Sequence, residues 1–329
     1  MSNTGEALVM GVDVGGTSTR VLVASVDGET RGHGRAAGGN PTAWPVDQAA
    51  ASLAAAVSAA LEGVEPAAVR AVVLGMAGGG ALDDPTAAQH FDRVWSQSGI
   101  RCVPQVVGDL AIAFASATPR PDGTVVVSGT GAAAAMIRDH RIVRSADGHG
   151  WLLGDAGSGF WIGREAVRRT LARLDTGEPP TVLSERVLSE TVGPDRPGSN
   201  LELVRALVRA VNSRPPVKLA ELARVVEESA GQGDEGAVEI IEQASMELIH
   251  TLERVREPGD DSPLVMVGGI LRPQSAVARS LRTHLAERFA GPVLTASDGV
   301  AGATWLAARS VTKDEKRELA THERLIGEH

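Results

Sequence analysis

The chain opens with short apolar runs set between turn residues and only later changes to helical spacing. The runs 8–14 and 18–25 are rich in valine and leucine, are joined by Gly15-Gly16-Thr17 and end at Asp27-Gly28, a pattern that predicts a β-hairpin. A third strand is predicted over 30–36, broken by Gly38-Gly-Asn-Pro-Thr42. From Pro45 the positions Val46, Ala50, Leu53, Val57 and Leu61 share one helical face, and Gly63 ends the pattern. The run 71–76 reads as a buried strand leading into Ala77-Gly-Gly-Gly-Ala81. A helix over 85–98, a short strand over 103–107, the dipeptide Gly108-Asp109 and an alanine-rich helix over 110–117 follow.

Residues 118–123, Thr-Pro-Arg-Pro-Asp-Gly, are dense in turn formers and mark the best linker in the first half. Beyond them the opening is repeated in outline: an apolar run at 124–128, a Gly129-Thr130-Gly131 turn, a second run at 132–137 and a polar turn at Asp139-His140. A glycine-rich loop over 148–159 then opens a helix at about Ser158. Residues 158–257 are nearly all helical in pattern, with breaks at 178–180, 193–198, 214–216 and 231–233. A last α/β piece has a strand at 264–269, a helix over about 274–289, Asp298, and a helix over 299–308. The charged tail 312–328 can form one more helix. Strands followed by alternating helix and strand, twice over, predict an α/β fold with two domains. The expected boundaries are 1–118, then 119–311 with a helical insertion at about 164–257, then the C-terminal helix 312–329.

Composition narrows the function classes. The 329 residues are 43% apolar, enough for two domains with cores of their own. A net charge of −9 without a basic cluster argues against nucleic acid or an anionic membrane as partner. Residues 1–6 lack the basic and apolar segments of a secretory signal, and no stretch reads as a transmembrane helix, so a cytoplasmic protein is expected. Cys102 is the only cysteine, which excludes an intrachain disulfide and a cysteine zinc cluster.

The candidate chemistry lies in the glycine turns. Gly15 and Gly16 allow a sharp turn whose backbone N–H groups can approach a phosphate, Thr17 and Thr19 add hydroxyls, and Asp13 at the strand end is placed to hold a Mg²⁺ ion bridging phosphate oxygens. The alternative is a plain hairpin with a solvated aspartate. Neither GxxxxGK[ST] nor a Rossmann fingerprint is present, since the glycines open a second strand instead of a helix. The second glycine turn, Gly129-Thr130-Gly131, makes nucleotide binding the favoured reading.

The opening motif resembles the first phosphate loop of the actin-like sugar kinase superfamily. The ordered series GVDVGGTSTR, GNP, GDLA, VSGTG, GWLLGDAGSGFWIG and VGG resembles the N-acetylglucosamine kinase group within the BadF/BadG-type ATPase family, from Gly11 to about Ala308. The resemblance implies two RNase H-like domains of the actin-like ATPase type around a nucleotide cleft, with the C-terminal helix packed on the first domain's side. It implies ATP and Mg²⁺ as cofactors, a small sugar as substrate and a homodimer. Residue by residue, Asp13 would hold the metal; Gly15, Gly16, Thr17, Gly129, Thr130 and Gly131 would hold phosphates; and Gly268 and Gly269 would approach adenosine. Asp109 would be the general base, or alternatively the cap of the helix at Leu110. Asn40 and Asp155 would bind sugar hydroxyls, or else form an Asx-turn and a helix N-cap. The Gly129-Thr130 backbone would line the sugar pocket, and Trp151 would lie against the sugar or fill core. Ala156 stands where related chains often carry an acidic residue.

Three functions compete. The leading one is an ATP-dependent kinase for the 6-hydroxyl of an amino sugar, N-acetylglucosamine first, with glucosamine, N-acetylmuramate and glucose as alternatives. The second is an ATPase of the 2-hydroxyacyl-CoA dehydratase activator type, which shares an iron–sulfur cluster across a dimer; a single cysteine counts against it. The third is a non-catalytic nucleotide- or sugar-binding regulator. A zinc-containing ROK kinase is disfavoured because its cysteine-rich motif is absent.

Overall fold

The computed structural model describes residues 6–77 and 82–327, which divide into two compact units. The first comprises the described residues within Met1–Val125, Ile137–Val143 and Ala296–His329, the second Val126–Met136 and Arg144–Thr295. This partition groups 296–311 with the first unit, whereas the sequence reading joins them to the second.

In the first unit, β1 (Leu8–Val14), β2 (Ser18–Ser25), β3 (Thr30–Ala37), β4 (Val69–Met76) and β5 (Gln105–Val107) form one sheet in the order β3-β2-β1-β4-β5. β1 pairs antiparallel with β2 and parallel with β4. Successive residues point to opposite faces, and both faces are covered, which is why these strands read as almost continuous apolar runs. Met10, Val12, Val14, Val21 and Val23 pack with Leu53, Phe91 and Trp95, from α1 (Val46–Ala60) and α2 (Pro85–Ser98). On the opposite face Val9 and Val73 meet Ile112 of α3 (Asp109–Ala115) and Ala303 of the helix Gly299–Val311, while Leu22 and Ala24 meet Trp305. The expected segment 77–81 lies, from residue 78 on, outside the described residues.

The second sheet has β6 (Gly123–Ser128), β7 (Ala132–Arg138), β8 (Arg141–Asp147), β9 (Leu264–Val267) and β10 (Val293–Thr295), in the order β10-β9-β6-β7-β8. β8 and β10 have no counterpart in the sequence reading. Both are edge strands: β8 exposes five of its seven residues and β10 is three residues long, so neither has the apolar alternation that marks a strand. Between β8 and β9 run α4 (Gly159–Thr176), α5 (Val182–Thr191), α6 (Asn200–Asn212), a 3₁₀ segment (Pro216–Leu222), α7 (Ala223–Ala230) and α8 (Glu235–Glu253), with the expected breaks between them. α8 buries Ala237, Ile240, Ile241, Ala244, Leu248 and Leu252, a helical stripe that joins α4, α7 and α9 (Ala276–Arg288) in one core.

The chain returns to the first unit with α10 (Gly299–Val311) and α11 (Glu315–Gly327). α11 is anchored by Trp305 Nε1 donating to the Glu318 carbonyl (3.0 Å), Thr321 Oγ1 donating to the Val26 carbonyl (3.1 Å), and Arg317 on Asp27.

Candidate functional site

In the first unit the tight Gly15-to-Thr17 turn sets the hairpin register and so pairs Asp13 with Arg20 across the strands. The Arg20 guanidinium reaches Asp13 Oδ2 at 2.5 Å and Asp298 Oδ1 at 2.7 Å. Asp298 also N-caps α10 by accepting from Val300 N at 3.1 Å. Burial pushes the Asp13 carboxyl above its ordinary value, while Arg20 pulls it back. The result is a largely buried carboxylate that shares a single guanidinium with Asp298. Arg20 and Asp298 were not among the expected site residues. The Asp13–Arg20 pair follows from the hairpin register, but nothing in the sequence signals that Asp298, far along the chain, joins them.

Gly16 and Thr17 are exposed at the turn tip, and Gly15 N donates to the Ser18 carbonyl at 3.0 Å. Thr19 departs from expectation. Strand alternation turns it to the face opposite Arg20, where it and its hydroxyl are fully buried.

Asp109 is the first residue of α3, after the N-cap Gly108, and is half-buried. Its Oδ1 accepts from Leu110 N at 2.9 Å, so it does serve the helix start. Burial, then the nearby Asp13 charge, pushes its carboxyl above the ordinary value, and the Leu110 hydrogen bond opposes them. Asn40, only 5% exposed, makes the Asx-turn: Oδ1 accepts from Thr42 N (2.9 Å) and Thr42 Oγ1 (2.8 Å), and Nδ2 donates to the Ala77 carbonyl at 3.3 Å.

The second unit brings its three glycine segments together. Gly159 N donates to the Gly129 carbonyl at 2.8 Å and Ser128 Oγ to the Gly157 carbonyl at 2.9 Å. Gly268, at φ 102°, passes so close to Ser128 that a Cβ would stand 2.3 Å from its carbonyl oxygen. A cavity of about 400 Å³ opens here, lined by Gly129, Thr130, Gly269, Arg272, Ser275 and Glu227 among others. Two other cavities of the helical region, of about 210 and 710 Å³, touch none of the expected residues. The 400 Å³ cavity is therefore singled out by its lining and not by its size.

Asp155 is not a helix cap, because Ser158 caps α4 by accepting from Trp161 N at 3.2 Å. Asp155 Oδ1 instead accepts from Ala132 N at 3.1 Å, next to Gly131. Burial raises its carboxyl above the ordinary value. Trp151 is 39% exposed and tilts against Phe160 with ring centroids 5.7 Å apart.

These features sit within a recognisable lineage. An N-acetylmuramic acid/N-acetylglucosamine kinase from Clostridium acetobutylicum is 28% identical over 188 residues, 57% of this chain, and the match spans only 58% of that relative's length. An N-acetyl-D-glucosamine kinase from Dictyostelium discoideum is 24% identical over 325 residues, covering 92% of this chain and 98% of the relative. The fold is similar to that of a candidate N-acetylglucosamine kinase from Chromobacterium violaceum, with a TM-score of 0.73 at 23% identity over 92% of this chain and 99% of that one. It is also similar to a ROK family glucokinase from Streptomyces griseus solved with glucose and AMPPNP, with a TM-score of 0.53 at 19% identity over 93% and 99% of the two chains. The two mixed α/β sheets are thus those of the actin-like ATPase and sugar kinase fold. With the BadF/BadG/BcrA/BcrD ATPase family profile matching residues 10–307, most of its length, the chain belongs to that family.

Proposed function

We propose that this chain is an ATP-dependent sugar kinase that transfers the γ-phosphoryl group to the 6-hydroxyl of an amino sugar, N-acetylglucosamine first. The observation that carries the reading is Asp109, a half-buried carboxylate at the start of a helix, with its proton affinity raised by burial and by Asp13. A sugar hydroxyl is a weak nucleophile, and a positioned carboxylate of raised basicity can take its proton as the oxygen attacks phosphorus. The oxygen–phosphorus bond forms, the bond from γ-phosphorus to the bridging oxygen breaks, ADP leaves, and the proton ends on Asp109.

The other roles follow from the chemistry of each group. The exposed Gly16-Thr17 backbone suits phosphate oxygens, and the cavity beside Gly129, Thr130 and Gly269 suits a nucleoside. Gly15, Gly131 and Gly268 shape those loops. Asp155 and Trp151 offer the sugar a carboxylate and a half-exposed ring. Asn40 has its polar atoms engaged by Thr42 and the Ala77 carbonyl, so its share in sugar binding would be to hold the loop unless those contacts open. Thr19, being buried, would contribute packing.

The donor set also fits a magnesium ion. Among the described residues no cluster of three or more ligating side chains exists, so the protein's share would be the one or two carboxylates usual for an ion completed by phosphates and water. Asp13, with Asp298 beside it, would hold the ion, which would offset the charge of the phosphate oxygens.

An ATPase that serves an iron–sulfur cluster is less well supported. Cys102 is half-buried, and burial raises its thiol above the ordinary value, which disfavours the thiolate such a cluster needs. ADP release measured with ATP and a broad sugar panel tests the proposal: sugar-dependent release is expected, and its absence for every sugar overturns the kinase reading.

A further inference from the structure

Asp147, at the end of β8, is half-buried and has no place in the roles above. Its backbone is left-handed, at φ 63°, a conformation that is strained for most side chains and tolerated by aspartate and asparagine. Both carboxylate oxygens are engaged on one target. Oδ1 accepts from Asp155 N at 2.7 Å and Oδ2 from Ala156 N at 2.9 Å. The approach is so close that a Cβ on Gly154 would stand 2.1 Å from Oδ1, so residue 154 has to be glycine while Asp147 keeps this position. Asp155 is itself left-handed, at φ 60°. Its own carboxylate turns to the second glycine turn, where Oδ1 accepts from Ala132 N at 3.1 Å and lies 2.8 Å from where a Gly131 Cβ would be. The contacts form a chain in one direction: Asp147 holds the backbone of 155–156, and Asp155 holds the backbone of 131–132.

We infer that Asp147 is a positioning residue for the acceptor sugar, clamping the strained Asp155 turn so that one carboxylate is held against the second glycine turn while it meets the substrate. The inference rests on the proposed role of Asp155. A clamp with two acceptors explains why aspartate stands where glycine would fit the backbone more easily. Asparagine would keep the left-handed backbone but offer one acceptor, and its amide would meet the remaining N–H donor to donor.

The test uses the full chain with Asp147→Asn and Asp147→Gly. The expected result is a rise of about 10- to 100-fold in KM for the sugar, with KM for ATP within about threefold of wild type, and a smaller loss for Asn than for Gly. Amide hydrogen exchange gives a readout that needs no substrate. Asp147→Gly should speed exchange at residues 155, 156 and 132, whereas Asp155→Gly, which keeps the left-handed backbone without strain, should speed it at 132 alone. Unchanged sugar KM in both Asp147 variants, equal losses for sugar and ATP, or exchange at 155 and 156 that is indifferent to Asp147 each overturn the inference. A wild-type protein without sugar-dependent turnover overturns instead the kinase reading beneath it, and the order of exchange then decides whether Asp147 positions Asp155.

Discussion

Asp109 and Asp13 are two carboxylates whose charges interact, each partly desolvated, and only Asp13 has a cation, Arg20, on it. Such an arrangement works against the folded state. A carboxyl whose folded pKa is raised binds its proton more tightly folded than unfolded, so stability falls as pH rises from the ordinary value through the raised one. Asp109→Asn removes that penalty and keeps an oxygen for Leu110 N. The variant is expected to melt at a higher temperature than wild type at pH 7, with the gain shrinking as the pH is lowered into the ordinary carboxylate range. Its kcat should fall on the order of 10²–10⁴, the usual worth of a positioned base, with ATP affinity little changed. Melting curves at two pH values and steady-state kinetics check both halves. Unchanged turnover would reduce Asp109 to its contact with Leu110 N. The wild-type rate should also lose activity on the acid side at a higher pH than an ordinary aspartate would give, since the base must be unprotonated.

At the scale of elements, α11 docks where two buried histidines meet Trp305. Two imidazoles flank Trp305 edge-on, His140 and His322, each with a centroid distance of 5.0 Å. His322 Nε2 donates to the Ala115 carbonyl at 2.8 Å. Burial, with Arg309 nearby, pulls His140 down to about 4 despite Asp139 and Asp122, and burial lowers His322 despite Ala115 and Glu323. Both rings are therefore neutral in the fold. The unfolded chain takes up protons below the ordinary value of 6.5 that the folded chain does not, so stability present above that pH is lost as the pH falls toward 4. Replacing the rings by groups that cannot charge, His140→Asn at its left-handed position and His322→Gln, should flatten the dependence of melting temperature on pH across that window. An unaltered slope in the double variant would mean that other groups carry the acid sensitivity.

For the whole molecule the expectations concern selectivity. Polar groups matched to sugar hydroxyls penalise an epimer that leaves one buried partner unpaired, by about 1–3 kcal/mol per lost bond. N-acetylglucosamine should exceed glucosamine and glucose in kcat/KM, and galactose-type epimers should be poor. Ala156 supplies no charge near Asp155 that would favour a free ammonium group. Preference for glucosamine or N-acetylmuramate by tenfold or more would keep the kinase and change its substrate. Cys102→Ser should leave turnover unchanged, and the purified protein should show no iron-dependent absorbance band. Such a band would favour the activator-type ATPase.

Much of this was legible along the chain because it rests on local rules. Apolar runs bounded by turn residues locate the hairpin and β4, helical spacing locates α2 and the helices between 158 and 257, and the two Gly-Thr turns stand out through backbone freedom alone. The edges β8 and β10 escape because an exposed or very short strand carries no alternation, and Thr19, read as a hydroxyl donor beside the turn, is buried by its position in β2. The Asx-turn of Asn40 is one of two readings the sequence offers, and only the tertiary structure decides it, since the choice depends on whether Ala77 and Thr42 meet the side chain. Arg20 joining Asp13 to Asp298, Asp147 under Asp155, and the cavity beside Gly129 and Gly269 all join residues distant in sequence or depend on a strained turn. Packing creates those proximities. A linear pattern records which residues can pack and not which of them meet.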